Sequence, residues 1–166
     1  MCLKGDRKAQ KALFDKFAPL MLAVCRRYVR RMEEAEEVLS NGFIKVFDKL
    51  KDFEDKGSFE GWIRRIMVNE ALNHLRRGQS MFIEVEISEF DSEEVMFSDQ
   101  LDAQHLMMLI DQLPIGYRTV FNLYAIEGYK HDEIAEMLGI SSNTSKSQLS
   151  KARKMLQQKV LDLNYL

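Results

Sequence analysis

Apolar side chains recur along most of this chain at intervals of three and four residues, the spacing of one face of an α-helix. Leu13, Phe17, Leu20, Val24 and Tyr28 form one such series and predict an amphipathic helix, bent at Pro19. Leu39, Phe43, Val46, Phe47 and Leu50 form a second. After "KDFEDKG", Ser58 is placed to cap a third helix running to about Arg77, with Phe59, Trp62, Ile63, Ile66 and Met67 inward. Farther on, Leu106, Leu109, Ile110 and Leu113 precede a break at "PIG", and Val120, Phe121, Leu123 and Tyr124 follow it. Period-2 alternation is scarce, so the fold class expected is all-α.

The stretch "HDEIAEMLGISSNTSKSQLSKARKMLQQK" adds two more helices about a single glycine. Ile134 and Leu138 lie one turn apart, and Ala135 is small where a second helix must cross closely. Gly139 takes a positive φ without steric cost, as a sharp interhelical turn requires. Ser141 or Ser142 can then cap the next helix. At 100° per residue, Leu149, Ala152, Leu156 and Val160 fall in one stripe, which places Ser147, Ser150, Lys151 and Lys154 opposite. The pattern is a helix-turn-helix with a slim cationic outer face. Short hydroxyls let such a helix approach base edges while lysines neutralise phosphates. The alternative is a solvated helix whose cations complement its dipole.

Charge divides the 166 residues into three. The net charge of −2 conceals 17 Lys+Arg against 12 Asp+Glu in residues 1–77, and 7 against 6 in 105–166. Residues 78–104 carry eight acids and no base. A block of one sign reads as a solvated connector, so two small helical domains, 1–77 and 105–166, joined by an acidic linker, 78–104, are expected. The longest apolar run, Phe17 to Cys25, is far short of the roughly 20 residues that span a bilayer, and no membrane insertion or export signal is expected. Cys2 and Cys25 are too few for a disulfide framework, and Cys25 reads as a core thiol. His74, His105 and His131 are scattered. With neither a phosphate loop nor a nucleophile elbow, no enzyme, cofactor, metal or small-molecule substrate is expected.

Three ordered segments resemble the extracytoplasmic-function (ECF) group of bacterial sigma factors, over nearly the whole chain. "EEAEEVLSNGFIKVFDKL" (33–50) resembles the helix those proteins present to RNA polymerase. "FEDKGSFEGWIRRIMVNEALNHLRR" (53–77) resembles their promoter-melting loop and helix. "LPIGYRTVFNLYAIEGYKHDEIAEMLGIS" (113–141) resembles the start of their upstream-element domain. The resemblance implies a cytoplasmic protein whose partners are bacterial RNA polymerase core, promoter DNA and an anti-sigma factor.

By residue, the resemblance and the faces described above imply polymerase binding by Glu34, Glu37, Ser40, Asn41 and Asp48. Members commonly carry Gln-Glu where this chain has Ser40 and Asn41. Downstream promoter recognition and melting fall to Phe53, Phe59, Trp62, Arg64, Arg65, Asn69, Asn73 and Arg76. A loop with aromatics beside a cationic helix can stack an unpaired base, although Phe59 and Trp62 also read as core. Upstream DNA binding falls to Asn143, Lys146, Ser147, Ser150, Lys151, Arg153 and Lys154. The helical projection puts Lys146 and Arg153 at the flank of the buried stripe, where Arg153 could pair with an acid of the preceding helix. Ser145 stands where members often have a β-branched apolar residue. The acidic linker is expected either to thread into the polymerase or to act as a tether. The competing function is a stand-alone helix-turn-helix regulator that binds duplex DNA without polymerase. A helical scaffold for another protein is a third.

Overall fold

A computed structural model of the chain describes residues 6–54, 56–78 and 103–164. The acidic stretch lies outside them except at its two ends, so the linker's expected path is not described. All elements among the described residues are helical, and the chain divides into two units, Met1–Gln79 and Ser80–Leu166.

The first unit is a bundle of three helices, each packed on the other two. Helix α1 (Arg7–Tyr28) begins where the Asp6 carboxylate accepts the free N–H groups of Lys8 and Ala9, at 2.9 and 3.4 Å. It passes through Pro19 as one helix. Helix α2 (Met32–Asp48) opens with Glu33 and Glu34 against its dipole and leads into a 3-10 turn (Leu50–Asp52). Helix α3 (Phe59–Gly78) starts as expected at Ser58, whose Oγ accepts from the Gly61 N–H at 3.2 Å. Of the predicted stripes, Val24 and Tyr28 from α1, Leu39, Phe43 and Val46 from α2, and Ile63 and Met67 from α3 meet in the core, joined by Met21, Val38 and Leu72, whereas Leu20, expected inward, is 40% exposed and Met21 beside it takes the buried position. Burying each such side chain stabilises by about 1.5–3 kcal/mol. One charged group enters this interior. Glu70 of α3 is buried, and its carboxylate accepts from Lys45 Nζ of α2.

The second unit contains α4 (Ala103–Asp111), α5 (Ile115–Phe121), a π-helical turn (Asn122–Ile126), α6 (His131–Leu138) and α7 (Ser142–Asn164). The expected break at "PIG" differs in detail. Pro114 precedes the first turn of α5, where its fixed φ favours a helix start, and Ile115 and Gly116 are already helical. A second difference follows from the π turn. The Glu127 N–H donates to the Asn122 carbonyl at 2.9 Å, five residues back, and the Tyr129 N–H to that of Leu123. This wider turn shifts the helical phase, so Leu123 is buried while Tyr124, expected inward, is 36% exposed. Gly139 has φ 67°, the left-handed conformation its place in the turn requires. Ser141 is the cap: its Oγ accepts from the Thr144 N–H at 2.9 Å. Leu149, Ala152, Leu156 and Val160 are buried as the stripe requires, and α7 packs on α5 and α6.

Candidate functional site

The loop between α2 and α3 forms a cavity of about 420 Å³, lined by Asp52, Phe53, Glu54, Lys56, Ser58, Gly61, Trp62 and Arg65. Its apolar wall exists because three aromatics bracket the start of α3. Phe53 stands 5.1 Å from Phe59 and 5.4 Å from Trp62, and Phe59 stacks on Trp62 at 5.7 Å and 20°. Phe17 of α1 meets Phe59 edge-on at 5.8 Å, fixing the cluster to the bundle. Trp62 is half-buried in aromatic packing and also lines the cavity. Two carboxylates and two cations share the rim with these faces, and Lys56 Nζ lies 2.7 Å from Glu54 Oε2. Such a recess can stack a planar heterocycle and bond its edge.

Along α3, Arg65, Asn69 and Arg76 are exposed and Arg64 and Asn73 are half-buried. On α2, Glu37, Ser40 and Asp48 are exposed and Asn41 partly so. The Ser40 hydroxyl donates to its own helix, at the Glu36 carbonyl, 2.8 Å away. Glu34 is engaged inside the unit, 3.4 Å from Arg31 Nη1 and 3.5 Å from His74 Nε2. The polar pattern concealed one member of this face. Ile44 is 59% exposed and falls between Asn41 and Asp48, at intervals that put Glu37, Asn41, Ile44 and Asp48 on one side of α2. Its signal in the sequence is an Ile beside, rather than within, the apolar stripe.

Helix α7 presents Asn143, Lys146 and Lys154 to solvent, with Ser150 half-exposed. Three expectations are corrected. Ser147 is buried, 3% exposed, and Lys151 is half-buried, whereas Lys146 is exposed rather than flanking the buried stripe. The projection took the stripe of Leu149, Ala152, Leu156 and Val160 as the whole covered face. With α7 held against both α5 and α6, the buried Gln148 and Ser147 widen that face to one side and turn the outer face toward Lys146.

The fully buried Ser145 finds its partner in His131, at 2.9 Å between Oγ and Nδ1. A polar pair thus replaces an apolar contact at the helix crossing. His131 also stacks on Tyr124 at 4.6 Å, and the Arg153 guanidinium lies 5.7 Å over the same ring. Arg153 accordingly rests on an aromatic face, where a partner on the preceding helix had been expected. Burial lowers the His131 pKa below its usual value, helped by Lys146 and Arg153 and opposed by Asp132. Cys25 is a core residue as expected, its thiol pushed up to about 12 mainly by burial.

Among the described residues no group of three or more His, Cys, Asp or Glu is placed to hold a metal, and no helix is long and apolar enough to cross a membrane. A three-helix unit with an aromatic recess and a helix-turn-helix unit with a cationic outer face together define an all-α DNA-binding protein. Residues 13–81 match the family model "Sigma-70 region 2", and residues 103–156 match "Sigma-70, region 4". The two segments take in nearly three quarters of the chain, in family order.

The chain is 29% identical over 168 residues to the RNA polymerase sigma-H factor of Pseudomonas aeruginosa, covering 92% of this chain and 86% of that protein. It is 29% identical over 175 residues to the ECF RNA polymerase sigma-E factor of Haemophilus influenzae, covering 96% and 92%. The fold is shared with the sigma factor RpoE of Bartonella quintana, solved in complex with the anti-sigma factor NepR. That match has a TM-score of 0.55 at 22% identity and covers 92% of this chain and 97% of that one. The chain belongs to the sigma-70 family of RNA polymerase sigma factors, and the relatives it resembles include ECF sigma factors.

Proposed function

We propose that this sigma factor joins RNA polymerase core through the α2 face of Glu37, Ser40, Asn41, Ile44 and Asp48, and directs the enzyme to promoters whose DNA it helps open. Residues 105–166 read an upstream element through Asn143, Lys146, Ser150 and Lys154, with Arg153 and the half-buried Lys151 near phosphates. Residues 1–77 then seize the downstream element. The role is noncovalent and belongs where polymerase works, in the cytoplasm. An anti-sigma factor is the expected inhibitor, since the Bartonella quintana sigma factor was solved with one.

The observation that carries this reading is the recess walled by Phe53 and Trp62 with Arg65 at its rim. Unpairing and unstacking a base costs a few kcal/mol. Stacking on an aromatic face returns about 1–3 kcal/mol, bonds to the base edge from Asp52, Glu54 or Ser58 add to that, and Arg65 meets the displaced strand's phosphates. A duplex-binding regulator has no use for such a recess.

The test is selection of a random promoter library by the protein with and without bacterial core polymerase, followed by permanganate probing of the enriched fragments. Enrichment and thymine reactivity only with core are expected. Enrichment without core, and no reactivity in either case, would instead establish a stand-alone regulator.

A further inference from the structure

Three basic groups converge beside the helix crossing of the second unit, and one of them is a histidine. His131 opens α6, and Lys146 and Arg153 of α7 lie close enough to act on its charge. Neither Lys146 nor Arg153 is ion-paired among the described residues. The imidazole is held in a set attitude: Nδ1 meets the buried Ser145 Oγ at 2.9 Å, and one face lies on the Tyr124 ring, 4.6 Å away and 20° from parallel. Nε2 is then the ring nitrogen left to meet a ligand. Ser145 accommodates both protonation states, because a hydroxyl donates to a neutral Nδ1 and accepts from a protonated one. A β-branched apolar side chain there could do neither.

The neighbouring acids do not balance this cluster. Asp132 favours the charged form from the same helix as His131, while burial and the two α7 cations disfavour it. Glu133, next along α6, is engaged with the Lys130 N–H at 2.8 Å. From the π turn Tyr124 presents only its ring face, over which Arg153 also lies. An imidazolium here is a third cation in a place that Asp132 alone offsets, and an incoming anion relieves the repulsion.

We propose that His131 is a proton-linked DNA contact: as an imidazolium it joins Lys146 and Arg153 on a backbone phosphate of the upstream element, so that the chain takes up a proton as its second unit docks. The inference rests on the upstream binding by α7 proposed above and extends it to a residue of α6 that carries no role there. The partner follows from position, since the anion that reading brings to Lys146 and Arg153 is the DNA backbone. In a helix-turn-helix the first helix crosses that backbone. The sign follows from the two states. In the free chain the His131 pKa is lowered, chiefly by burial, and a phosphate beside the ring raises it. The bound state therefore holds more protons, and affinity rises as pH falls through the bound pKa, levelling off below the free one. Each unit by which DNA raises the pKa is worth about tenfold in affinity.

The test uses holoenzyme and a fragment enriched in the promoter selection above, alongside the same fragment with an unrelated sequence in place of the upstream element. The Kd is measured at about pH 8 and about pH 6, either side of the ordinary histidine value, for the unaltered chain, His131→Gln and His131→Arg. Polymerase titrates too, so the quantity compared between chains is the ratio of the Kd at the higher pH to that at the lower. This ratio is expected to be about five- to tenfold larger for the unaltered chain than for either variant. The arginine variant, a cation at both pH values, should bind more tightly than the glutamine variant at the higher pH. The salt exponent of the unaltered chain should be larger at the lower pH by up to about 0.9, one phosphate contact. On the fragment without the upstream element all three chains should share one ratio. Urea midpoints at both pH values establish that each chain compared is folded.

An equal ratio in the unaltered chain and a folded His131→Gln variant overturns the proposal. So does an equal effect on both fragments, and so does a salt exponent that does not change with pH, which would make His131 a group that only positions α7. If the glutamine variant does not fold, a folded His131→Arg variant that keeps the full pH dependence overturns it instead. If the unaltered holoenzyme enriches no fragment, the promoter-directing function itself falls, and the proton-linked contact with it.

Discussion

Replacing Lys45 by Met would strand the Glu70 carboxylate, whose side chain is 5% exposed, in the interior of the three-helix unit. Removing one member of a buried ion pair costs about 3–5 kcal/mol, because the remaining charge keeps its desolvation penalty without its counterion. Lys45 itself is 43% exposed, so water already screens part of the attraction. The expected loss falls at or below the lower limit of that range, about 2–3 kcal/mol. For a unit of this size about 1 kcal/mol moves Tm by about 4–8 °C, which sets the fall at roughly 10–20 °C. Removing both charges, in Lys45→Met/Glu70→Leu, should recover at least half of it, since an apolar pair carries no such penalty. The assay is thermal and urea unfolding by circular dichroism, with hydrogen exchange on α2 and α3 to place the loss in this unit. If Lys45→Met melts within about 2 °C of the unaltered chain, or the double variant is no more stable than the single, another group compensates the carboxylate and the reasoning fails.

The helix-turn-helix yields sharper contrasts between neighbours. Ser150→Ala or Lys146→Ala should weaken upstream DNA binding by holoenzyme about 5- to 150-fold, the equivalent of 1–3 kcal/mol per lost contact. Lys146→Ala should leave Tm unchanged, whereas Ser147→Gln should lower Tm by crowding a covered site. Gly139→Ala should destabilise the second unit by about 1–2 kcal/mol, the penalty of a side chain at positive φ, read by urea unfolding. Ile44→Asp should reduce affinity for core polymerase at least tenfold with unchanged stability, measured by competition for core. For His131 the folded pKa lies below the unfolded value, so the unfolded chain binds the proton first as pH drops. Stability of the second unit should therefore be full above about pH 6.5, decline as pH falls through that value, and level off below the folded pKa. His131→Gln should flatten that pH profile of urea midpoints.

What the sequence disclosed depended on how many packing partners each element has. Leu39, Phe43 and Val46, or Ile63 and Met67, face a single core, and their intervals alone placed them in it. Gly139 and Ser141 were legible because a positive φ and a helix cap are local demands that few residues satisfy. Ser147 was misplaced because α7 is covered from two directions, and a one-stripe projection cannot represent a second neighbour. Tyr124 was misplaced for a different reason: the π turn at Asn122–Ile126 alters the phase, and the apolar spacing carries no mark of that. The Lys45–Glu70 pair, 25 residues apart, and the His131–Ser145 pair, 14 apart, emerge only once helices are packed. The aromatic loop was readable as a recess in composition, while its closure by Phe17 of α1 was not.

The chain contains a single tryptophan, and it forms the wall of the recess. Its indole is therefore a resident spectroscopic probe at the place where a base would be captured. Fluorinating that ring in this chain alone, within an otherwise unlabelled polymerase, would give one ¹⁹F resonance. Ring-current shielding from a base stacked against Trp62 would shift that resonance when strand separation begins, in real time and without replacing any residue.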